Sequence, residues 1–295
     1  MTSARAESTG MRLARCLRME RVAWSLRRLH CPVDRDALVL EVGSGGNPYG
    51  RANVLLDAYF DTRERHWAPL TVDRPFVFGF LEKLPFKDKA FDFVIASHVL
   101  EHSPAPDRAL AEMQRVAKAG YIEVPDAFME RVNPYKDHRA EITVRGGRLV
   151  IRKKPGWMVD PDLVELYESR AKPLFAGRLI PSHPFAFHVR HYWEGQVEFD
   201  VINPETDSSW PPPVDDRIRT TAAVRGGWRS GARRLLRGLM SQSSRNRTVD
   251  LPSLLACPTC SHSPLARRAG HFECEGCATD YPDRDGLPML YPVVR

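Results

Sequence analysis

Residues 37–127 alternate between short apolar runs and amphipathic stretches, a pattern typical of a layered α/β domain. The apolar runs predict five strands, at residues 37–40, 54–57, 75–80, 93–96 and 121–125. Between the last two strands, Leu110, Met113 and Val116 recur at helical spacing and predict a helix over residues 105–118, capped by Gly120. Strands and helices in this succession predict a mostly parallel, doubly wound sheet.

The flanking segments predict two further helices and two hairpins. Apolar residues spaced among arginines predict a helix over residues 12–30, and residues 161–172 form a second candidate helix. Residues 141–151 are typical of a hairpin with two glycines in its turn, and residues 185–202 of another. We expect the second hairpin to complete the antiparallel edge of a seven-stranded sheet. The first would then be an insertion over the ligand-binding edge.

The length of 295 residues fits one large domain with a small appendage. We divide the chain into an N-terminal basic helix, an α/β domain, a basic Pro/Ser/Arg-rich linker and a small C-terminal domain, at residues 1–36, 37–203, 204–250 and 251–295. No apolar run approaches the roughly 18 residues of a membrane span, so no transmembrane segment is predicted. The N-terminus lacks the hydrophobic core of a signal peptide, which favours a cytoplasmic protein.

Positive charge is concentrated in two flanking segments. The net charge is +6, yet residues 217–247 contain nine arginines and no acidic residue, and residues 1–30 contain seven arginines against two glutamates. Apolar residues between Val224 and Met240 alternate with these arginines and predict a short amphipathic helix. Basic flanks suggest a polyanion partner, such as RNA or a membrane surface, bound through the Arg-rich linker. The alternative is a solvated linker and a surface helix.

The glycine-rich segment at residues 41–48 directly follows the first predicted strand. Glycines at that place put bare backbone N–H groups at the carboxyl end of a sheet, where open α/β sheets bind their ligands. The second strand ends in Asp57, where folds that bind a nucleoside place a carboxylate for the ribose hydroxyls. Ordinary turn chemistry also explains a glycine pair, so the loop alone leaves the choice open.

Several linked motifs in residues 37–127 make the choice more specific. They are the Glu41-x-Gly43-x-Gly45 loop, Asp57, Leu84-Pro85-Phe86, the Phe91–Ile95 segment and Leu100-Glu101-His102. In this order they resemble the type-11 group of class I S-adenosylmethionine-dependent methyltransferases. The resemblance implies a Rossmann-like methyltransferase sheet and S-adenosylmethionine as cofactor.

The resemblance also implies a role for individual residues. Gly43 and Gly45 would let the backbone approach the methionine part of the cofactor, Glu41 would orient the loop, and Asp57 would hold the ribose. The remaining implied cofactor-binding residues are Ser44 in the loop, Glu82 and Leu84 beside the adenine, and Ser97 at the end of the fourth strand. Two positions depart from the family pattern: Asn47 replaces its third glycine, and Phe80 stands where an aspartate usually reads the adenine.

Methyl transfer from a sulfonium donor needs little help beyond alignment and desolvation. A general base is required only when the acceptor is a hydroxyl or a protonated amine. His98, His102 and His138 are the candidates for a catalytic base, and the sequence does not select among them. Each is equally compatible with a packing or surface role.

Four cysteines in the C-terminal segment predict a structural zinc site. Cys257 and Cys260 form one Cys-x-x-Cys pair, and Cys274 and Cys277 form another after thirteen intervening residues. Two such pairs can place four thiolates tetrahedrally around Zn²⁺. About forty-five residues bury little core, so the ion would supply folding energy, and a closed four-sulfur shell leaves no position for a substrate.

The residues around these cysteines resemble the small zinc-ribbon activator subunit of tRNA and release-factor methyltransferases. The resemblance rests on residues 254–258 and 281–290. That subunit binds beside a methyltransferase domain, so here the ribbon would pack on its own or a partner's methyltransferase domain and stabilise it or recruit substrate.

Two functions of different class therefore remain. The first is a methyltransferase acting on an unidentified acceptor, either RNA or protein, or a small molecule or glycan intermediate. The second is a non-catalytic zinc-ribbon scaffold or nucleic-acid-binding protein with a degenerate methyltransferase fold, which the departures at Asn47 and Phe80 favour.

Overall fold

A computed structural model of the chain describes residues 6–65, 67–211 and 241–293. The strands are β1 (Val39–Val42), β2 (Val54–Asp57), β3 (Phe76–Phe78), β4 (Phe91–Ser97), β5 (Ala117–Pro125), β6 (Ala140–Arg145), β7 (Arg148–Lys153), β8 (His188–Glu194), β9 (Phe199–Val201), β10 (Ala266–Arg268), β11 (His271–Cys274), β12 (Thr279–Arg284) and β13 (Leu287–Pro288). The principal helices are α1 (Thr9–Cys16), α2 (Glu20–Leu26), α3 (Pro106–Val116), α4 (Ala127–Val132) and α5 (Pro161–Leu166).

Shorter helical segments complete the described residues. Single 3₁₀ turns occupy Arg27–Leu29, Arg63–Arg65, Leu100–His102 and Pro184–Ala186. After α5 the chain continues through Tyr167–Ala171, Lys172–Leu174, Phe175–Leu179 and Ile180–Ser182, in which π-helical and α-helical turns alternate. Two short α-helices, Ser243–Asn246 and Leu251–Leu254, precede the C-terminal strands. None of the helices in the described ranges is long and apolar enough to cross a membrane.

The contacts divide the chain into two compact units. One unit contains the described residues up to Pro32, Ser97–Asp107, and those from Tyr121 to residue 211. The other contains Val33–Ala96, Arg108–Gly120, and the described residues from Ser241 onward. The boundary falls inside β4, α3 and β5, so these three elements belong partly to each unit.

The main sheet has six strands in the order β3-β2-β1-β4-β5-β8. β1 lies in the middle and pairs in parallel with β2 and β4, with Leu40 opposite Val54 and Val39 opposite Phe93. Every residue of β1, β2 and β3 is buried, as expected for parallel strands covered on both faces. This confirms the predicted Rossmann-like α/β fold and brings the carboxyl ends of β1 and β2 together at one edge.

Two predictions about helix boundaries were wrong. The predicted helix over residues 12–30 is interrupted, because Arg18 adopts a left-handed conformation (φ 56°) and ends α1 before α2 begins. Met11, Ala14 and Ala23 nevertheless form the buried cluster that holds the two helices together. Gly120 does not cap a helix: α3 ends at Val116 and the chain enters β5 directly.

The first predicted hairpin is confirmed, and the second is wrong. β6 and β7 pair in antiparallel register through a turn at Gly146 and Gly147, whose φ angles are 57° and 82°. β8 and β9, predicted to pair with each other, belong to different sheets. β8 lies at the edge of the main sheet, whereas β9 pairs in parallel with the exposed edge of β7. The described residues therefore give the main sheet six strands rather than seven.

The C-terminal segment forms a four-stranded sheet in the order β10-β11-β12-β13. It lies in the same unit as β1 to β3 and makes backbone hydrogen bonds within that unit: Leu290 N–H donates to the Phe78 carbonyl at the end of β3 (2.8 Å), and Ala256 N–H donates to the Pro85 carbonyl (3.0 Å). The segment therefore lies beside the outer edge of β3, where Phe78 and Met289 form an isolated parallel bridge. The amphipathic helix predicted between Val224 and Met240 lies outside the described residues.

Candidate functional site

The glycine loop follows β1 and is held in place by a buried carboxylate. Glu41, 3% exposed, accepts a hydrogen bond from the Tyr49 backbone N–H (2.7 Å). Gly43 and Gly45 have φ angles of 65° and 57°, which glycine adopts without strain. These contacts fit the predicted role of Glu41 in orienting the loop.

Asp57 ends β2 beside this loop and is 6% exposed. Its carboxylate accepts hydrogen bonds from the backbone N–H groups of Gly45 (3.0 Å) and Tyr59 (3.2 Å). Burial raises the pKa of Asp57, and the charge of Arg65 and the backbone hydrogen bonds oppose that rise. The carboxylate thus stands next to the loop backbone, where a ribose would need it.

Arg65 forms an ion pair with one oxygen of the Asp57 carboxylate, an interaction that was not predicted from the sequence. Its Nη1 lies 3.0 Å from Asp57 Oδ1, and its guanidinium also donates to the carbonyls of Tyr59 and Phe60. The following residues lie on the loop, since Thr71 N–H and Oγ1 donate to the carbonyls of Gly45 and Gly46. Arg65 and Thr71 therefore both contact the glycine loop or the carboxylate beside it.

The residues of this loop fit an adenosyl cofactor, although Arg65 already pairs with the carboxylate that the ribose would need. The Ser44 hydroxyl is buried beside the glycines and has no hydrogen-bond partner among the described residues, as expected for a group reserved for a ligand. A Cβ at Gly45 would lie 3.3 Å from Arg65 Cδ, a contact that a small shift of this side chain relieves, so the positive φ of 57° is what favours glycine there. The cofactor would need to share Asp57 with Arg65 or displace it.

Replacing Arg65 by methionine tests this competition. We expect the melting temperature to fall, because the substitution removes several hydrogen bonds, each of which contributes about 0.5–3 kcal/mol. We expect S-adenosylmethionine to bind several-fold more tightly, because the ribose no longer competes for Asp57. Arg63→Met, in the same 3₁₀ turn, is the matched control. A parallel loss of stability and of affinity, measured by calorimetry, would show instead that Arg65 orients Asp57 for the cofactor.

The other predicted cofactor-binding residues of this unit differ in exposure. Leu84 is fully buried, and its backbone N–H donates to Glu112 (2.7 Å), whereas Glu82 is half-buried. Phe80, which departs from the family pattern, packs against the rings of Tyr59 and Tyr291 at centroid distances of 6.2 and 5.0 Å. An aromatic group has therefore formed where the family pattern expects an acidic side chain.

Ser97 and His98, in the other unit, contact the buried carboxylate of Glu123. Ser97 Oγ lies 3.3 Å and His98 Nε2 3.3 Å from Glu123 Oε1, and Arg27 pairs with the same carboxylate at 2.6 and 2.8 Å. His98 Nδ1 lies 3.5 Å from Glu101 Oε1. The His98 side chain is 41% exposed; partial desolvation opposes its charge, but Glu101 and Glu123 raise its pKa to about 9. His98 is therefore protonated at neutral pH and suited to donating hydrogen bonds.

His102 and His138 lie together in this second unit. Their ring centroids are 4.8 Å apart, with the rings nearly perpendicular. Burial lowers the pKa of His102 to about 4, so this ring is neutral. His98 and His102 thus differ in charge, and the catalytic role of all three histidines stays a prediction.

The four predicted zinc ligands come together, since the sulfur atoms of Cys257, Cys260, Cys274 and Cys277 all lie within 4.8 Å of one another. Cys257 and Cys277 are 3.7 Å apart and Cys260 and Cys274 are 3.5 Å apart, sulfur to sulfur. A tetrahedron of Zn–S bonds of about 2.3 Å has edges of about 3.8 Å. These separations match zinc coordination and exceed the length of a disulfide, about 2.05 Å.

Several residues that shape these sites were missed at the level of sequence. They are Arg65 beside Asp57, and Arg27, Glu101, Glu123 and Glu130 around the histidines. Glu101 lies inside the Leu-Glu-His motif, and Glu123 lies inside a predicted apolar strand. A charged residue in an otherwise apolar stretch is the sequence signal that could have identified both as site residues. No sequence signal pairs Arg27 with Glu123 across such a distance along the chain.

Comparison with known proteins agrees with this architecture. Residues 54–122 match the type-11 family model described as "Methyltransferase domain". A curated relative, demethylmenaquinone methyltransferase of Streptomyces avermitilis, is 30% identical over 168 residues, or 56% of this chain. The chain spans only about half of that relative, 53% of its length. The family model and the relative are both methyltransferases.

Two solved structures show partial similarity. A methyltransferase from Bacillus halodurans has 18% identity and a TM-score of 0.25, covering 32% of this chain and 47% of its own. A Haloferax volcanii complex between a methyltransferase activator and a methyltransferase has 16% identity and a TM-score of 0.34, covering 62% of this chain and 93% of the matched chain.

Proposed function

We propose that this protein is an S-adenosylmethionine-dependent methyltransferase whose cofactor binds at the glycine loop and Asp57. The observation that carries the proposal is the placement of Asp57 at the end of β2, with its carboxylate 3.0 Å from the Gly45 N–H. The match of residues 54–122 to a methyltransferase domain supports it. In this proposal Glu41, Gly43, Ser44 and Gly45 hold the methionine part, and Glu82 and Leu84 adjoin the adenine. A cofactor-binding role for Ser97 stays a prediction.

The acceptor falls into one of two classes. A small molecule is one class, and the Streptomyces relative is named as acting on demethylmenaquinone. RNA or protein is the other, favoured by the nine arginines in residues 217–247. Incubation of the enzyme with labelled S-adenosylmethionine and cell extract, followed by separation of RNA, protein and small molecules, distinguishes them. Label in none of these fractions would contradict the proposed activity.

We also propose that the C-terminal segment is a zinc ribbon with a structural Zn²⁺ on its four cysteines. Its backbone hydrogen bonds to Phe78 and Pro85 favour packing on the methyltransferase part of its own chain. The ribbon then stabilises the edge of the sheet next to Asp57. A cytoplasmic location remains a prediction.

A second candidate function is a non-catalytic scaffold with a degenerate pocket. The ion pair between Arg65 and Asp57, and the aromatic residue at position 80, favour it. The two candidates differ in one property, since a scaffold of this kind does not bind S-adenosylmethionine at any concentration near physiological levels.

A further inference from the structure

Three side chains that can bind a metal meet in the unit that contains His98. One ligand atom each from Glu101, His102 and His138 lies within 4.8 Å of the other two. Glu101 is 2% exposed and His138 is 9% exposed. This cluster contains no cysteine and is separate in composition from the four-cysteine site.

Both imidazoles are oriented by hydrogen bonds at Nδ1. His102 Nδ1 lies 3.1 Å from the Asp137 carbonyl oxygen, and His138 Nδ1 lies 2.7 Å from Glu130 Oε2. Because those oxygens accept, the Nδ1 hydrogen of each ring points at them, which leaves Nε2 as the nitrogen of each ring available to a metal ion. Metal-binding histidines are oriented in the same manner, by a carbonyl or a carboxylate on the second nitrogen.

The carboxylate that orients His138 is itself fixed. Glu130 Oε1 accepts hydrogen bonds from Lys154 Nζ (2.6 Å) and from the Tyr135 backbone N–H (3.1 Å). Lys154 is 7% exposed, so this hydrogen bond holds the Glu130 carboxylate in place in a buried setting. The His138 ring is thus held in one orientation by a carboxylate that is itself hydrogen-bonded, an arrangement that packing alone does not require.

Glu101 lacks the donors that a buried carboxylate needs. Neither of its oxygens makes a hydrogen bond within the described part of the chain, and the nearest cation is His98, whose Nδ1 is 3.5 Å from Oε1. A desolvated carboxylate without donors is strongly unfavourable. His98 offsets part of that cost at Oε1. It does not explain why two further imidazoles, of His102 and His138, have a ligand atom within 4.8 Å of the same carboxylate.

We propose that Glu101, His102 and His138 bind a divalent first-row transition metal ion. A cation between one carboxylate and two imidazole nitrogens removes the repulsion among these electron-rich atoms, and this ligand set suits Zn²⁺, Fe²⁺ or Co²⁺. Three protein ligands leave at least one position for water or another small ligand. A nitrogen bound to a metal does not accept a proton, so His102 and His138 act as ligands rather than as bases.

Counting metal ions in the full chain tests the proposal. Metal-free protein is loaded with excess Co²⁺, and unbound ion is removed by gel filtration. We expect about two cobalt ions per chain in the wild type and about one in His138→Gln. The matched control is His183→Gln in the same unit, whose side chain is 58% exposed, and it should retain about two. One ion per chain in the wild type, or two in His138→Gln, would overturn the proposal.

A spectroscopic count needs no substitution and holds even if His138→Gln does not fold. Thiolate-bound cobalt absorbs strongly in the near ultraviolet through charge transfer, whereas cobalt bound by nitrogen and oxygen does not. We expect wild-type protein to hold about one more cobalt per chain than its thiolate band accounts for. A thiolate band that accounts for all the bound cobalt would exclude the second site.

Discussion

Asp57→Asn is expected to weaken the binding of S-adenosylmethionine by about 100-fold or more. The carboxylate is proposed to accept hydrogen bonds from both ribose hydroxyls, and each bond to a charged acceptor contributes about 1.5–3 kcal/mol. Two such bonds correspond to a factor of at least about 100 in affinity. Asparagine has nearly the same shape and retains one oxygen for the Gly45 N–H, so the loop should stay in place.

Calorimetric titration of the two proteins measures this effect. Asp61→Asn is the matched control, because Asp61 lies exposed in the segment that follows β2 and loses the same charge. We expect its affinity to equal that of the wild type. Equal binding by wild type and Asp57→Asn would place the ribose elsewhere.

Removal of zinc is expected to unfold the C-terminal sheet before the rest of the chain. Structural zinc sites contribute an apparent free energy of about 10 kcal/mol or more, and a segment of this size has little core to replace it. Cys274, buried at the end of β11, is the ligand whose loss should cost most. Cys274→Ser should therefore reproduce the effect of a chelator.

Hydrogen exchange read by mass spectrometry separates this unfolding from a global one. We expect the amides of β11 and β12 to lose protection on chelation while those of β1 and β4 keep theirs. Cys16→Ser, at an exposed and isolated cysteine, should change nothing. Unchanged protection of β11 and β12 after zinc has been removed would rule out a structural role for the ion.

The same experiment has a consequence for the cofactor. The Tyr291 hydroxyl, carried by the C-terminal segment, donates to the Ala58 carbonyl (2.6 Å), one residue after Asp57. Unfolding of the ribbon removes this contact and the packing of Tyr291 on Phe80. Cofactor affinity should therefore fall when zinc is removed.

The structural features predicted correctly from the sequence are those that depend on neighbouring residues along the chain. β2 was predicted with its observed bounds, Val54–Asp57, because its apolar run is followed by a single acid. The four cysteines were predicted to converge because their spacing alone specifies two pairs. The β6–β7 turn followed from two adjacent glycines.

The features that were predicted wrongly or missed depend on backbone conformation or on contacts between residues distant along the chain. An arginine in the left-handed region, as at Arg18, leaves the hydrophobic periodicity of the segment intact, so the break between α1 and α2 was invisible. β8 and β9 each had the composition of a strand, but which strand each pairs with depends on distant edges. The Arg65–Asp57 pair is a competition between a side chain and a ligand, which only three-dimensional placement exposes.

The claim on which the account depends is that the glycine loop and Asp57 bind an adenosyl sulfonium. Titration of the full chain with S-adenosylmethionine in a calorimeter measures this directly. The account predicts saturable binding of about one equivalent per chain, with affinity in the micromolar range typical of enzyme substrates. The absence of any binding heat at millimolar cofactor, in protein whose fold is verified by circular dichroism, would contradict it.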